Sequence, residues 1–157
     1  MANQPRTRKS FINSSIDIAR SYNFHGLDLD WEFPSTATEM ANLGTLLTEW
    51  REAITQESNT NGKPPLLLTS AVYYSTYRTL AYPIEAISNS LDWINVMSYN
   101  LFAPGWSPNI TQPPAGLYHP TTWIEAGLAP DKIVLGLPFY GFARKLVDSN
   151  THGLFVK

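Results

Sequence analysis

The sequence predicts an α/β protein built on a parallel sheet, and three features carry that expectation. Helix-period and strand-period segments alternate along the chain until a fourth strand. Three of the four strand segments are nearly continuous apolar runs, as strands covered on both faces must be. Five of the twelve prolines crowd into one long connection, Leu101 to Pro120, of the kind that lies over a binding face. The alternation fits either an open, doubly wound sheet or part of a (β/α)8 barrel. No glycine-rich phosphate loop follows any strand, which weighs against nucleotide binding. A whole barrel needs about 250 residues. The chain has 157, so its four βα units amount to about half of one.

From Pro5 to about Tyr22, apolar Phe11, Ile12, Ile16, Ile18 and Ala19 recur at roughly helical spacing. Pro5 suits a first turn, where its missing donor costs little. Asn23 breaks this helix, and Phe24 to Phe33 reads as a strand. A second helix is expected from Ser35 or Thr36. Thr36-x-x-Glu39 fits a capping box, and Leu43, Leu46, Leu47, Trp50 and Ile54 form an apolar stripe. Ser58 to Pro65, rich in Asn, Gly and Pro, reads as a loop. Leu66 to Tyr74 is a buried strand, Pro83 to Ser90 a short helix, and Leu91 to Tyr99 another buried strand. After the proline-rich connection, a short helix at Thr121 to Gly127 leads into the strand Lys132 to Tyr140. With no repeat and no low-complexity tract, residues 1–157 read as a single domain.

Composition narrows the function classes. Hydrophobic residues make up 43% and charged residues 15%, which calls for a packed core rather than a disordered tail. Five Trp and eight Tyr suit a large core and also suit flat faces that stack on sugars. The net charge of −2 suggests no polyanion, so no nucleic-acid partner is expected. Arg6, Arg8 and Lys9 read as a solvated helix start. No run of about 18 apolar residues exists, so neither a transmembrane span nor a membrane partner is expected. The opening MANQPRTRKS lacks the apolar stretch of a signal peptide. Without cysteine there is no disulfide framework. Asn13-Ser14-Ser15 and Asn109-Ile110-Thr111 match the glycosylation triplet, a pattern that often arises by chance.

The informative segment is His25-Gly26-Leu27-Asp28-Leu29-Asp30-Trp31-Glu32. Residues two apart on a strand share a face, so Asp28, Asp30 and Glu32 line one side and Leu27, Leu29 and Trp31 the other. In a barrel the apolar side packs under helices, which turns three carboxylates, spaced about 6.5 Å apart, toward the lumen. Glu32 comes last, at the C-terminal mouth where barrel chemistry takes place. Crowded acids in a confined space repel one another, and at least one should hold its proton to higher pH. Such a group can protonate a leaving oxygen. Two other readings stay open. A half-exposed strand whose acids face water is the commoner explanation of such a strand taken alone, and clustered carboxylates can hold a hard cation. With His25 the only histidine nearby and no calcium-loop spacing, the cation ranks last, and neither a metal nor a cofactor is expected.

Gly26-Leu27-Asp28-Leu29-Asp30-Trp31-Glu32 resembles the acidic strand-four signature D-x-x-D-x-D-x-E of family 18 glycoside hydrolases, and plant class V chitinases in particular. The resemblance continues through Leu66-Leu67-Leu68-Thr69-Ser70-Ala71-Val72-Tyr73-Tyr74, Asn95-Val96-Met97-Ser98-Tyr99 and Gly136-Leu137-Pro138-Phe139-Tyr140-Gly141. It implies a partial (β/α)8 barrel with parallel strands corresponding to strands four to seven. It also implies endo-type hydrolysis of β-1,4-linked N-acetylglucosamine polymers, with chitin or chitooligosaccharide as partner, in an extracellular or vacuolar setting. By that resemblance Glu32 protonates the leaving oxygen while the sugar's own acetamido oxygen attacks the anomeric carbon, giving retention. Asp30 holds the acetamido N–H, Asp28 tunes Asp30, and Tyr99 hydrogen-bonds the acetamido oxygen. Met97, Asn100 and Tyr140 line the sugar site.

Several positions depart from the pattern. His25 stands at the first acidic position, where it could still hydrogen-bond Asp28. Asn100 replaces the Asp that usually follows the strand-six Tyr, and Arg144 replaces an aromatic. The stretch from Tyr118 to Trp123 is shorter than in the family. These last two features suggest relaxed constraint or a changed groove. Strands one to three and eight, with the Trp that floors the cleavage subsite, are expected to be missing, and the end of the chain falls about where relatives insert an α+β domain. A chitin-binding, lectin-like protein on the same scaffold and an inactive fragment are therefore the competing readings.

Overall fold

A computed structural model describes residues 1–77, 81–107, 109–117 and 121–156. The elements run α1 (Pro5–Ser21), β1 (Gly26–Asp30), α2 (Ala37–Asn61), β2 (Leu67–Tyr73), α3 (Ile84–Ser90), β3 (Trp93–Met97), α4 (Thr121–Glu125), a 3-10 turn (Pro130–Lys132) and β4 (Ile133–Leu135). The strands form one sheet in the order β1-β2-β3-β4, every neighbouring pair parallel. The order never reverses, and the core lies on one face only. Leu68, Val72, Ile94 and Val96 pack there with Ile12, Ile16 and Ala19 of α1, Leu43, Leu46, Leu47, Trp50 and Ile54 of α2, and Ile87 of α3. A doubly wound sheet carries helices on both faces. The arrangement is half of a (β/α)8 barrel, with the opposite face belonging to the lumen.

The apolar stripe of α2 is buried as its spacing predicts, and the capping box at its start is complete. Thr36 Oγ1 accepts from the Glu39 backbone N–H at 3.1 Å, and Glu39 Oε2 accepts from the N–H groups of Thr36 at 3.1 Å and Ser35 at 2.8 Å. Those bonds hold the Glu39 carboxyl below its ordinary range. Thr36→Ala is expected to cost about 1 kcal/mol, read as a lower urea midpoint at unchanged m-value.

Some boundaries differ from expectation. The loop expected from Ser58 begins only after Asn61, because α2 runs on for another turn before Gly62, at φ 69°, ends it in a left-handed cap whose N–H reaches the Ser58 carbonyl. The expected strands at 24–33 and 132–140 shorten to Gly26–Asp30 and Ile133–Leu135. Arg8 is not part of a solvated helix start. It is buried and makes a bidentate pair with Glu49 at 2.8 and 2.7 Å, while Arg20 pairs likewise with Glu57. These two pairs pin α1 along α2.

The proline-rich connection is partly ordered by backbone bonds. Leu101 N–H donates to the Pro114 carbonyl and Gly116 N–H to the Ser98 carbonyl, so the connection turns back on the end of β3. Farther out, Thr111 meets the final segment. Its N–H donates to the Val156 carbonyl at 2.8 Å, and its hydroxyl donates to the Gly153 carbonyl at 2.7 Å. Among the described residues, no helix is long and apolar enough to cross a membrane.

Candidate active site

Partners in a parallel register point the same way, so the strand pairings place side chains in rows across the lumen face. Asp28, Thr69 and Trp93 form one row. Asp30, Ala71, Asn95 and Val134 form the next, toward the C-terminal mouth. Tyr73 and Met97 pair in the row above. Glu32 lies two residues past Asp30, just beyond the end of β1, and the peptide that follows it is cis. Leu27, Leu29 and Trp31 pack against the core. The sequence-based division of the acidic strand into two faces is the one observed.

Confinement differs from expectation. Four strands wall half a lumen, so Asp28, Asp30 and Glu32 are exposed on their shared face rather than enclosed. Glu32 is nonetheless raised above the ordinary glutamate range, first by partial burial, then by the charge of Asp30, then by a hydrogen bond with it. Tyr99 is raised as well, mainly by burial, with further contributions from Tyr140, Asp30 and Glu32. The phenol is therefore within reach of the field of Asp30 and Glu32. The Tyr99 and Tyr140 rings meet edge to face with centroids 6.4 Å apart. Tyr140 donates its hydroxyl proton to Asn100 Oδ1 at 2.7 Å, and Asn100 holds a left-handed backbone at φ 56°.

Gly136 sets the position of Tyr99. A Cβ there would lie 2.7 Å from the Val96 carbonyl oxygen and 2.8 Å from Tyr99 Cε1, distances real contacts do not reach. Gly136→Ala is expected to push the Tyr99 ring outward at a cost of about 1–3 kcal/mol, measurable as a lower denaturation midpoint.

Three lumen-face residues went unassigned in the sequence. Thr69 Oγ1 donates to Asp28 Oδ1 at 2.5 Å, Asn95 Nδ2 donates to the same oxygen at 3.0 Å, and Trp93 Nε1 donates to Asn95 Oδ1 at 3.1 Å. Polar Thr69 and Asn95, at alternate positions of apolar strands, were the available signal. His25 does not take their place. It precedes Asp28 by three residues, which sets it on the other side of the strand, and among the described residues Asp28 is bonded by Thr69 and Asn95 instead.

Arg144, which stands where the family has an aromatic, lies against the proline-rich connection. It donates to the carbonyls of Ser107 and Phe102 and so ties the proline-rich connection down. In the stretch from Tyr118 to Trp123, residues 118–120 lie outside the described ones.

Residues 1–155 match the family described as "Glycosyl hydrolases family 18". The chain belongs to that family. This family 18 chain is 52% identical over 167 residues to a class V chitinase of Arabidopsis thaliana, covering 99% of the chain and 44% of that protein. A crystal structure of a class V chitinase from Nicotiana tobaccum superposes with a TM-score of 0.95 at 50% identity, covering 99% of this chain and 48% of that one. A mutant of the tobacco enzyme has also been solved in complex with NAG4. The chitinase-like agglutinin of Robinia pseudoacacia superposes at 0.90 with 49% identity, over 99% of this chain and 50% of its own. The family 18 chain thus spans about half the length of the relatives it matches.

Proposed function

We propose that residues 1–157 form one partial catalytic domain, the acid-bearing half of a chitinase barrel. It serves endo-type hydrolysis of β-1,4-linked N-acetylglucosamine polymers with retention of configuration. The observation that carries this reading is the run of three carboxylates, Asp28 and Asp30 in adjacent lumen-face rows of the sheet and Glu32 two residues beyond at the C-terminal mouth. The Glu32 carboxyl gives its proton to the glycosidic oxygen as the C1–O bond breaks. The acetamido carbonyl oxygen of the same sugar bonds to C1, forming an oxazolinium ion, and no carboxylate is needed as nucleophile. Asp30 accepts the acetamido N–H and steadies the cation, while Tyr99 donates to the acetamido oxygen. Asp28 supports Asp30. Water, deprotonated by the Glu32 carboxylate, then opens the ring from the face the leaving group vacated. Met97, Asn100 and Tyr140 contact the sugar. The likeness to class V chitinases supports an extracellular or vacuolar setting.

The decisive experiment follows chitotetraose by proton NMR in the first minutes of reaction. Initial release of the β-anomer is expected, and initial release of the α-anomer would defeat the retaining mechanism. A second reading, a chitin-binding lectin, draws support from the Robinia agglutinin, a chitinase-like protein with nearly the same backbone here. Saturable binding of chitotetraose with no product formed over days would favour it.

A further inference from the structure

We infer that Trp93, Asn95 and Thr69 form a positioning relay that fixes Asp28 by one oxygen and leaves the other directed to the reacting acids. The inference rests on the functional reading above and adds three residues to it.

The chemistry of each group dictates the direction of the relay. An indole N–H can only donate. Trp93 Nε1 lies 3.1 Å from the Asn95 side-chain oxygen, so that amide is oriented with its NH2 group away from Trp93. The amide nitrogen then donates to Asp28 Oδ1 at 3.0 Å. Exchanging the amide's oxygen and nitrogen would set two donors against each other at Trp93 and two acceptors against each other at Asp28. The indole thus selects the amide orientation, which is what makes Asn95 a donor to the acid. Thr69 Oγ1 donates to the same Asp28 oxygen at 2.5 Å from the strand between. Two donors on Oδ1 hold the carboxyl plane and leave Oδ2 without a bond from either of them. The strand periodicity makes Asp30 the next residue on that face.

The sheet register supplies the relay's rigidity. Thr69 and Trp93 are directly paired across β2 and β3, and Thr69 is paired with Asp28 across β1 and β2. Asn95 sits one row up and reaches diagonally down to Asp28, a separation of 67 residues in the chain closed by one bond. Two neighbouring strands, β2 and β3, therefore orient one carboxylate of β1, and none of the three residues needs to touch the sugar.

The test uses near-isosteric variants of the full chain, with a fluorogenic chitotrioside as substrate. Asn95→Asp keeps the shape but turns the donor toward Asp28 into an acceptor. It is expected to lower kcat at least ten-fold, with KM changed less than about two-fold, and to displace the pH profile. Thr69→Val should lower kcat several-fold, and Thr69→Ser, which restores the hydroxyl, should recover most of it. Independently of turnover, the Trp93 indole cross-peak in a nitrogen–proton NMR spectrum should shift in Asp28→Ala, although Trp93 does not touch Asp28. Turnover that depends on Glu32 but keeps its kcat and pH profile in both Asn95→Asp and Thr69→Val would overturn the relay alone. An indole peak unmoved by Asp28→Ala would overturn it as well. A parent chain that never cleaves the substrate sinks the functional reading, and the indole signal then decides the relay.

Discussion

Glu32→Gln is expected to lower hydrolysis of chitooligosaccharides by about 10²–10⁴-fold, the usual worth of a positioned general acid, while leaving binding of the same sugar nearly intact. The amide keeps the length and shape of the side chain but has no proton acidic enough to give the leaving oxygen. Initial-rate assays beside a calorimetric binding titration check both halves of the expectation. The parent's rate should fall as pH rises through the Glu32 titration, at a pH above the ordinary glutamate range, because burial and Asp30 hold the proton on.

The same shift carries a stability consequence of definite sign. A carboxyl raised in the folded state favours folding at pH below its unfolded value, and that contribution disappears as pH rises through the folded one. At neutral pH the Glu32 charge therefore weighs against the fold. Glu32→Gln should melt higher than the parent near pH 7.5, and the gap should close as pH falls below about 4, the ordinary glutamate range. A gap that persisted at low pH would contradict a carboxyl raised in the folded state.

Trp123→Ala is expected to cost about 3–5 kcal/mol, the largest effect on stability among the substitutions considered. Trp123 is completely buried, its ring centroid lies 5.1 Å from that of Tyr82, and its Nε1 donates to the Tyr73 carbonyl at 3.2 Å. Truncation removes the packing and leaves a carbonyl at the end of β2 without this donor. Domains of this size are stable by about 5–15 kcal/mol, so the loss takes most of a modest reserve and should flatten the cooperative thermal transition. Trp123→Phe keeps most of the volume and should cost far less, isolating the hydrogen bond at about 1 kcal/mol. The damage should extend beyond stability, because Tyr73 pairs with Met97 in the uppermost row of the lumen face.

Features with a short sequence range were legible in advance. The capping box at Thr36 and Glu39, the apolar stripe of α2 and the two faces of the acidic strand each follow from spacing over a few residues, and each is present as read. Features that depend on neighbours across the sheet were not. Arg8 looked like a solvated cation because nothing local points to Glu49, 41 residues later. Thr69 and Asn95 drew no role from the sequence, because only the register across the sheet brings both beside Asp28. The confinement expected of the three acids depends on how much wall surrounds them, which a single strand does not encode. The strand ends were overestimated for a related reason. The apolar run Lys132 to Tyr140 continues past Leu135, the last residue paired with β3, and the apolar pattern alone does not mark that end.

The bonds between Thr111 and residues 153–156 join stretches more than forty positions apart with little apolar surface to reward the closure. Such a clasp assembles late and releases early relative to the sheet it borders. Amide protons at Thr111 and Val156 should exchange with solvent well before those of Val72 and Ile94.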